Sequence, residues 1–554
     1  MRVPPTTVPH RPEPVTVSSE GGEPDGRARP EGTGPVPASV VRAGAARSRL
    51  AGGVALVALT MASALLRAGG RELSLWVDEG MTLGIASHPL AEIPGVLAQD
   101  GSPPLYYVLL HGWMQVVGSS AGSVRALSLL FAVAAVPVAF GAGRLVSARA
   151  GWVAAVLVAT SPYLSAQSRE ARMYPLLVLV GLVAVAGFLG AFARGRRRWL
   201  PVFVLGSAAV LFTHHWGLFL VAGLAAATLW CVATAGPSRR QVATDAGLAF
   251  VAIALLYAPW LPILLAQVRH TGAPWSRTPN PLEALGALFS VLGGPGVVVV
   301  LGLALVPVVA RRRRGSRPPG TAALLGLVLA VTVATSWAAS QVAPAWSPRY
   351  FGAYLPPLVL LGALALARAG RAGVVGVVAV VALWTVPLPF VADGRTPGAP
   401  VPKSNVAELA AGLEGVLEPG DVVLATQMEQ VPLLRHYLGP GLRYADPRGP
   451  VADPRVADWR DAFAELREAD PMAVLDPLVE GLAPGGHVVL ACPRLFTDED
   501  DLLWYRLMDR HCESATRALD ADRRVRRLRG PEPGPEARRV GAAMAVTLYE
   551  RTRA

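Results

Sequence analysis

The chain alternates between long apolar segments and short polar connections from residue 50 to about residue 391. An apolar segment of about 18 residues or more with few charges is long enough to cross a bilayer as a helix. The pattern therefore predicts eleven helical spans. They lie at residues 50–68, 125–143, 151–167, 175–193, 199–214, 216–234, 245–264, 284–310, 321–342, 350–369 and 372–391.

Arginines are concentrated in particular connections, notably residues 194–198 and 311–314. Short cytoplasmic loops carry an excess of lysine and arginine, so these connections are predicted to be cytoplasmic. Three further arginines precede the first span, at residues 42, 47 and 49, and they predict that the N-terminus is also cytoplasmic. Eleven crossings then leave the C-terminal region on the outside.

Residues 104–118 are apolar but short, and the same rule decides how they lie. An odd number of crossings must join the outer loop after the first span to the basic connection near residue 144. If residues 125–143 cross once, residues 104–118 do not cross. They are then predicted to form an amphipathic helix on the outer surface, with Tyr106, Tyr107 and Trp113 as interfacial anchors.

Composition agrees with a multi-pass protein of the cell membrane. The 554 residues are 52% hydrophobic and 16% charged, whereas soluble domains carry about 25% charged residues. The net charge of +12 would suit a nucleic-acid partner. Because the arginine runs lie between apolar segments, we interpret them as loop charges and predict no nucleic-acid binding.

Two polar regions flank the spans. Residues 1–46 are rich in Pro, Gly, Ser and Arg and are predicted to form a disordered cytoplasmic tail. Residues 47–396 form the membrane domain, and residues 397–554 are predicted to be a small extracytoplasmic α/β domain. Its expected strands are 421–425, 487–491 and 542–550, and its expected helices are 405–417 and 456–468.

The function of this C-terminal domain is predicted to be acceptor binding or covering of the membrane site. Its two cysteines, Cys492 and Cys512, lie in an oxidising compartment if the topology is right. Their spacing alone does not decide whether they form a disulfide. The third, Cys231, lies in an apolar segment and is expected to be a small packing residue.

The most informative polar group is the pair Asp78-Glu79, directly after the first span. Carboxylates at a membrane edge are costly to desolvate, which points to a function. A carboxylate partly shielded from water has a raised pKa and serves well as a general base. The competing interpretation is an ordinary solvated loop pair or a helix cap.

Several arginines are predicted to lie on the same outer face. Arg169 and Arg172 are three positions apart and would share one face of a helix, while Arg125 and Arg349 lie at the outer edges of other spans. An arginine fork matches phosphate oxygens and keeps its charge when desolvated. Snorkelling of long side chains at span ends is the simpler explanation for any one of them.

The adjacent His214 and His215 lie at another outer span end, beside Trp216. An interfacial polar cap and a substrate contact are equally good explanations for them. A zinc site would need further ligands, and none is suitably spaced. Cofactors, including a divalent cation, are left open.

These residues together carry a resemblance. It rests on Trp76-Val-Asp-Glu79, Pro103-Pro-Leu-Tyr-Tyr107, Arg125, Arg169-Glu-Ala-Arg-Met-Tyr174 and Arg349-Tyr350, in that order. The set resembles the membrane glycosyltransferases of GT-C fold, in particular the protein O-mannosyltransferase and aminoarabinose transferase group. The fold class expected is therefore mainly α: a polytopic transmembrane GT-C fold with a small C-terminal α/β domain.

The resemblance implies transfer of a sugar from a polyprenyl-phosphate donor to an extracytoplasmic acceptor, which is a glycan, a lipid or a protein. It implies that Asp78, with Glu79 beside it, is the catalytic base. Basic residues hold the lipid phosphate: Arg172 and Arg349 first, with Arg169 and Arg125 as further candidates. The expected substrate-binding residues are Tyr174, Tyr350, His214, His215 and Tyr106.

Two other functions fit the spans and the outer basic groups. A transporter or flippase of lipid-linked glycans would place ionisable residues and broken helices in mid-membrane. Few charges interrupt the apolar segments, which favours the enzyme. The other function is that of a non-catalytic scaffold whose outer domain binds a partner.

The protein O-mannosyltransferases carry a large insert between late spans that this chain lacks, so a protein is the least supported of the three acceptors.

Overall fold

The computed structural model describes residues 38–310, 320–385, 402–495, 502–528, 530 and 542–552. It divides into residues 1–55 and residues 56–554. Most of the predicted N-terminal tail, the arginines at 311–314 and the end of the last predicted span lie outside the described residues.

The fold is mainly helical up to residue 385. The first helices are α1 (Ala38–Arg67), α2 (Val77–Ala86), α3 (Ile93–Asp100), α4 (Leu105–Val117), α5 (Ala121–Arg144), α6 (Ala148–Thr160), α7 (Pro162–Gln167), α8 (Tyr174–Phe188) and α9 (Leu200–Thr213). They are followed by α10 (Gly217–Thr234), α11 (Arg239–Tyr257), α12 (Leu261–His270), α13 (Pro281–Leu292), α14 (Pro295–Ala310), α15 (Thr321–Val342), α16 (Leu355–Arg368) and α17 (Arg371–Thr385).

Six helices in the described part of the chain are long and apolar enough to cross a membrane. They are Arg49–Arg67, Ala121–Arg144, Tyr174–Ala193, Gly217–Thr234, Gly236–His270 and Thr321–Val342. The predicted span 284–310 is instead a pair of helices, α13 and the first part of α14, bent by 94°. Helices α6, α16 and α17 are apolar but shorter. A count of eleven spans therefore stays a prediction.

The segment at 104–118 is a helix, as predicted, but two of its three expected anchors are wrong. Tyr106 and Tyr107 are completely buried, where interfacial anchors would be exposed. The hydroxyl groups of Tyr106 and Ser128 lie 2.9 Å apart, which ties α4 to α5. Because a tyrosine ring is amphipathic, a protein core that offers its hydroxyl group a polar partner, as Ser128 does for Tyr106, accommodates it as well as a membrane surface does.

Beyond residue 402 the chain forms a six-stranded sheet, and we call residues 402–552 the C-terminal domain. Its strands are β1 (Val422–Ala425), β2 (Arg443–Asp446), β3 (Gly449–Pro450), β4 (His487–Leu495), β5 (Val525–Leu528) and β6 (Ala542–Arg551), in the spatial order β3-β2-β1-β4-β6-β5. The pairs β1–β2 and β1–β4 are parallel, and the others are antiparallel.

All three predicted strands of this domain are present, and both predicted helices are shorter than expected. The helices are α18 (Val406–Ala411), α19 (Val431–Leu438), α20 (Ala462–Glu468), α21 (Pro471–Glu480) and α22 (Leu503–Ala521). A disulfide joins Cys492 in β4 to Cys512 in α22, with 5.7 Å between their Cα atoms.

Helix α2 is packed tightly against the C-terminal domain through two glycines one helical turn apart. A Cβ atom on Gly80 would lie 2.7 Å from Cβ of Leu433, and one on Gly84 would lie 2.0 Å from the carbonyl oxygen of Arg455. At the end of the helix, Nε2 of His88 lies 2.8 Å from a carboxylate oxygen of Asp453. The helix that carries the predicted base is therefore fixed by the C-terminal domain.

Candidate active site

The predicted carboxylates lie in the first turn of α2. Trp76 has extended backbone geometry, and the helix begins at the next residue. The backbone N–H of Trp76 donates a hydrogen bond of 3.3 Å to Glu79. Negative charge in a first turn is favourable because the helix N-terminus carries partial positive charge. Since successive residues on a helix point about 100° apart, Asp78 and Glu79 face different surroundings.

Glu79 is completely buried and paired. Arg125 donates to both of its carboxylate oxygens, over 2.7 Å from Nε and 2.5 Å from Nη2. The backbone N–H of Ala171 donates to it over 2.8 Å. The remaining Arg125 N–H groups donate to the carbonyl oxygens of residues 71, 73 and 74. Both charges are thus used to join α2, α5 and the loop after α7.

Asp78 lies between two arginines. Its Oδ2 atom forms an ion pair with Nη1 of Arg349 and lies 3.9 Å from Nε of Arg172. Arg172 also donates from Nη1 to the hydroxyl of Thr82, one turn along the helix, over 2.8 Å. The structure therefore brings one predicted carboxylate and two predicted phosphate-binding arginines together from distant parts of the sequence.

The arginines at 169 and 172 do not share a helix face, because residues 168–173 form a connection between α7 and α8. Arg172 is directed to the site by the hydroxyl of Ser128, which donates to the Arg172 carbonyl over 2.9 Å and also contacts Tyr106. Arg169 is half-buried and lies near Arg67, at the end of α1. Because Ser128 bonds both the Tyr106 hydroxyl and the Arg172 carbonyl, Tyr106 contacts the site through Ser128.

An aromatic group borders the arginines. The ring of Tyr174 lies 5.8 Å from the guanidinium of Arg172 and 6.2 Å from the ring of Tyr350. His214 lies between these two tyrosines, with ring centroids at 5.8 and 4.9 Å. Burial lowers the pKa of His214 well below its ordinary value, and the nearby His215, Arg172 and Arg349 lower it further. A neutral imidazole beside the arginines adds no charge of its own.

His215 serves a different part of the same region. Its Nε2 atom lies 3.0 Å from the carbonyl oxygen of Gly101, in the loop before α4. Burial lowers its pKa as well. The two adjacent histidines point in different directions, one to the tyrosines and one to the loop.

The sequence analysis missed a basic residue at this site. Lys403 forms an ion pair with Glu170, and its Nζ atom lies 4.4 Å from the ring centroid of Trp76. The guanidinium of Arg349 lies 5.6 Å from the same ring. The available signal was compositional, because Lys403 is the single lysine in a chain with 51 lysines and arginines. Its rarity in an arginine-rich chain is the feature that would have drawn attention to this position.

The second missed residue is Asp100, at the end of α3. Its surroundings include Ser102, Tyr107, Arg172 and Asp78. Burial raises its pKa, and the side chain of Ser102 and the charge of Arg172 oppose this effect. The available signal was its place three residues before Pro103-Pro104, in the motif used for the resemblance.

Among the described residues, no group of three His, Cys, Asp or Glu side chains is arranged to hold a metal ion.

Helical spans, a loop-and-helix site at one end of them and a C-terminal sheet domain define a membrane protein of GT-C fold. The chain is similar to ArnT, an aminoarabinose transferase, from Cupriavidus metallidurans. With the structure bound to undecaprenyl phosphate it has a TM-score of 0.55 and 15% identity, over 79% of this chain and 92% of that chain. With the apo structure the TM-score is 0.54 and the identity 18%, over 80% and 93%.

A weaker similarity is to the oligosaccharyltransferase of Archaeoglobus fulgidus in complex with zinc and sulfate. Its TM-score is 0.46 and its identity 14%, over 78% of this chain and 67% of that chain. No protein-family model matches the sequence. No curated protein matches it either. The predicted GT-C fold is confirmed by the two ArnT structures. Because their sequence identities to this chain are low, the similarity supports the fold alone.

Proposed function

We propose that this chain is an integral membrane glycosyltransferase. It moves a sugar from a polyprenyl-phosphate-linked donor to an extracytoplasmic acceptor. The observation that carries the proposal is the Asp78 carboxylate at the start of α2, next to Arg349 and Arg172. The ArnT structure with undecaprenyl phosphate supports a lipid phosphate as the donor's leaving group.

The arginines hold the donor phosphate. A polyprenyl phosphate leaves readily only when its developing negative charge is matched, and fixed cations in a partly dehydrated site do this well. Arg172 and Arg349 are the primary ligands, since both lie beside Asp78. Lys403 is added to them because its ammonium group and the guanidinium of Arg349 both lie over the Trp76 ring. Arg169, near Arg67, is assigned to the edge of the site.

Asp78 is the general base. An oxygen of the acceptor attacks the anomeric carbon, its hydroxyl proton passes to a carboxylate oxygen of Asp78, and the bond from the anomeric carbon to the phosphate oxygen breaks. The polyprenyl phosphate leaves with that electron pair. Before the donor binds, the Asp78 carboxylate is paired with Arg349 and lies beside Arg172; the arriving phosphate competes for these arginines and frees the carboxylate. The base is thus released only when a donor is present.

The other predicted residues have supporting roles. Glu79 and Arg125 position α2, because their polar atoms are taken up by each other and by the backbone. Tyr174, Tyr350 and His214 form the wall beside the arginines and are assigned to the sugar. His215 holds the loop at Gly101. The N-terminus is assigned to the cytoplasm and the site and C-terminal domain to the outer face, from the arginine distribution.

The test is sugar transfer in membranes that contain the chain. Radiolabelled polyprenyl-phosphate mannose and polyprenyl-phosphate arabinose are supplied in turn, and label entering the envelope fraction is measured. Asp78→Asn should lower the rate by about 10²–10⁴, the usual contribution of a general base. Asp245→Asn is the matched control, since Asp245 pairs with Arg197 near the basic connections. Full activity of Asp78→Asn would exclude Asp78 as the base.

A transporter of lipid-linked glycans is the alternative, and the 94° bend between α13 and α14 favours it. Broken helices are typical of transport sites. The same assay separates the two functions: a transferase releases polyprenyl phosphate in step with labelled product, whereas a transporter moves the intact donor across the bilayer.

A further inference from the structure

A second polar cluster lies on the C-terminal domain, where β1 ends. Thr426, Gln427, Glu429 and Gln430 follow the strand directly and are all at least nine-tenths buried. The parallel strands β2 and β4 lie on opposite sides of β1. The order of the strands therefore reverses at β1. In α/β sheets, ligands bind in the crevice outside the carboxyl ends of the strands at such a point.

Only part of the hydrogen-bonding capacity of this cluster is used. The amide nitrogen of Gln427 donates to Oε1 of Glu429 over 2.9 Å, and that of Gln430 donates to Oε1 of Gln427 over 3.3 Å. The buried atoms Oε1 of Gln430 and Oγ1 of Thr426 have no hydrogen-bond partner in the described part of the chain. Oε2 of Glu429 makes no hydrogen bond of ordinary geometry there, although the side chain of Trp504 lies close to this carboxyl group. Buried polar atoms are normally paired. All three oxygens can accept a hydrogen bond, and the Thr426 hydroxyl can also donate one.

Tryptophans border the cluster. The ring centroid of Trp459 lies 4.6 Å from that of Trp275 and 5.5 Å from that of Trp504. Trp504 lies beside Glu429, and Trp275 is half-buried in the loop after α12. The three indoles therefore form a connected aromatic group that reaches the Glu429 carboxyl group through Trp504, and such a group suits a ligand with both an apolar face and hydroxyl groups.

This cluster adjoins the candidate active site at two points. Met428, between Gln427 and Glu429, packs in one hydrophobic cluster with Met81 of α2, three residues after Asp78. The backbone N–H of Trp459 donates to the carbonyl oxygen of Gln99 over 3.0 Å, next to Asp100. A molecule lying on the tryptophans and reaching Glu429 is therefore adjacent to the helix of the base.

We propose that Glu429, Gln430 and Thr426, together with Trp275 and Trp459, form the acceptor subsite, and that the acceptor is a glycan. Sugar hydroxyl groups donate to the three acceptor oxygens, and the C–H face of a sugar ring stacks on the indoles. The subsite belongs to the proposed transferase, in which the acceptor hydroxyl must reach Asp78. A lipid acceptor would need an apolar channel here. A peptide accompanies each backbone N–H with a carbonyl group that cannot donate, whereas every free sugar hydroxyl can donate to these oxygens.

The test measures binding and transfer separately on the full-length chain in lipid nanodiscs. Mannohexaose and arabinohexaose are the probes, and binding is followed by saturation-transfer NMR. Trp275→Ala and Glu429→Gln should each weaken binding about tenfold or more, the loss expected for a ring contact or a charged hydrogen bond. Glu429→Gln keeps the volume of the side chain, so a folding defect is avoided. Glu465→Gln, an exposed carboxylate of the same domain, is the matched control and should bind like the wild type.

In the transfer assay, transfer to the oligosaccharide should fall about tenfold in the two variants and stay at the wild-type rate in Glu465→Gln. Unchanged oligosaccharide binding and transfer in both variants, with an active wild type, would overturn the subsite and leave the proposed function intact. Binding that depends on Trp275 and Glu429 in a chain that shows no donor turnover would support the subsite and reject the transferase. Label entering only a lipid or a protein fraction would overturn the glycan acceptor.

Discussion

Arg125 and Glu79 form a buried two-point ion pair across 46 positions of sequence. The pair removes Glu79 from the proposed chemistry and leaves its neighbour Asp78 as the carboxylate that pairs with Arg349 and lies beside Arg172. Two adjacent acids that look equivalent in the sequence thus have different roles, one holding the helix and one proposed to accept a proton.

Removal of one partner of this pair should destabilise the protein. Arg125→Met leaves the Glu79 carboxylate buried without its counterion, and such losses cost about 3–5 kcal/mol. Thermal unfolding in detergent is the measurement. The control is Arg460→Met, which breaks a solvent-exposed pair with Asp458 and should cost less than about 1 kcal/mol. Equal, small effects for both variants would contradict the positioning role.

Substitutions among the basic residues should separate the effect of side-chain geometry on donor binding from the effect of side-chain charge. Arg349→Lys keeps the charge but loses the fork that matches two phosphate oxygens, so we expect the KM for the donor to rise about tenfold. Lys403→Met should raise the same constant by a comparable factor, and Lys403→Arg should restore most of the loss if charge alone matters. Donor KM values that do not change in Lys403→Met would remove that residue from the phosphate site.

The close approach of α2 to the C-terminal domain predicts that Gly84 cannot be enlarged. In Gly84→Ala the new Cβ would lie 2.0 Å from a backbone oxygen of Arg455, so the helix must shift and carry Asp78 with it. We expect at least a tenfold loss of transfer, because small displacements of catalytic groups cost about 10²-fold. Gly247→Ala is the control, since a Cβ there meets no atom within 4 Å. Wild-type activity in Gly84→Ala would show that α2 tolerates displacement.

Glu429 should make stability depend on pH. Burial raises its pKa from 4.5 to about 7, opposed by the nearby side chain of Gln427. Because the folded state holds this proton more tightly than the unfolded chain, the wild type should lose stability relative to Glu429→Gln as the pH rises from about 4.5 to about 7. The difference should approach about 3 kcal/mol and then level off. Parallel stability curves for the two proteins across this range would contradict the burial of the carboxyl group.

Features that depend on neighbouring residues alone could be predicted well from the sequence. The spans predicted at 321–342 and 216–234, the helix at 104–118 and the strands that begin near residues 421 and 487 follow local runs of apolar residues. The structure has helices and strands within a few positions of these predictions. The orientation of the chain in the membrane was inferred from the charges of the loops, and it stays a prediction. Helix length in the C-terminal domain was overestimated: α18 ends at Ala411, and α20 begins at Ala462, after the left-handed backbone of Asp461.

Contacts between distant residues could not be read from those runs. Asp78 meets Arg172 and Arg349 across 94 and 271 positions, which the resemblance anticipated and periodicity alone did not. Tyr106 and Tyr107 looked like membrane anchors because a buried and an interfacial tyrosine have the same local pattern. Lys403 could have been found by its rarity, but its contact with Trp76 could not.

The sequence by itself determined which segments are apolar enough for a bilayer, where charges accumulate and which residue types are available for proton transfer and phosphate binding. Only the tertiary structure decided that Glu79 is neutralised by Arg125 while Asp78 lies between Arg172 and Arg349. The physical reason is that hydrophobic periodicity is a property of adjacent residues. The partner of a buried charge is chosen by the packing of helices far apart in the chain.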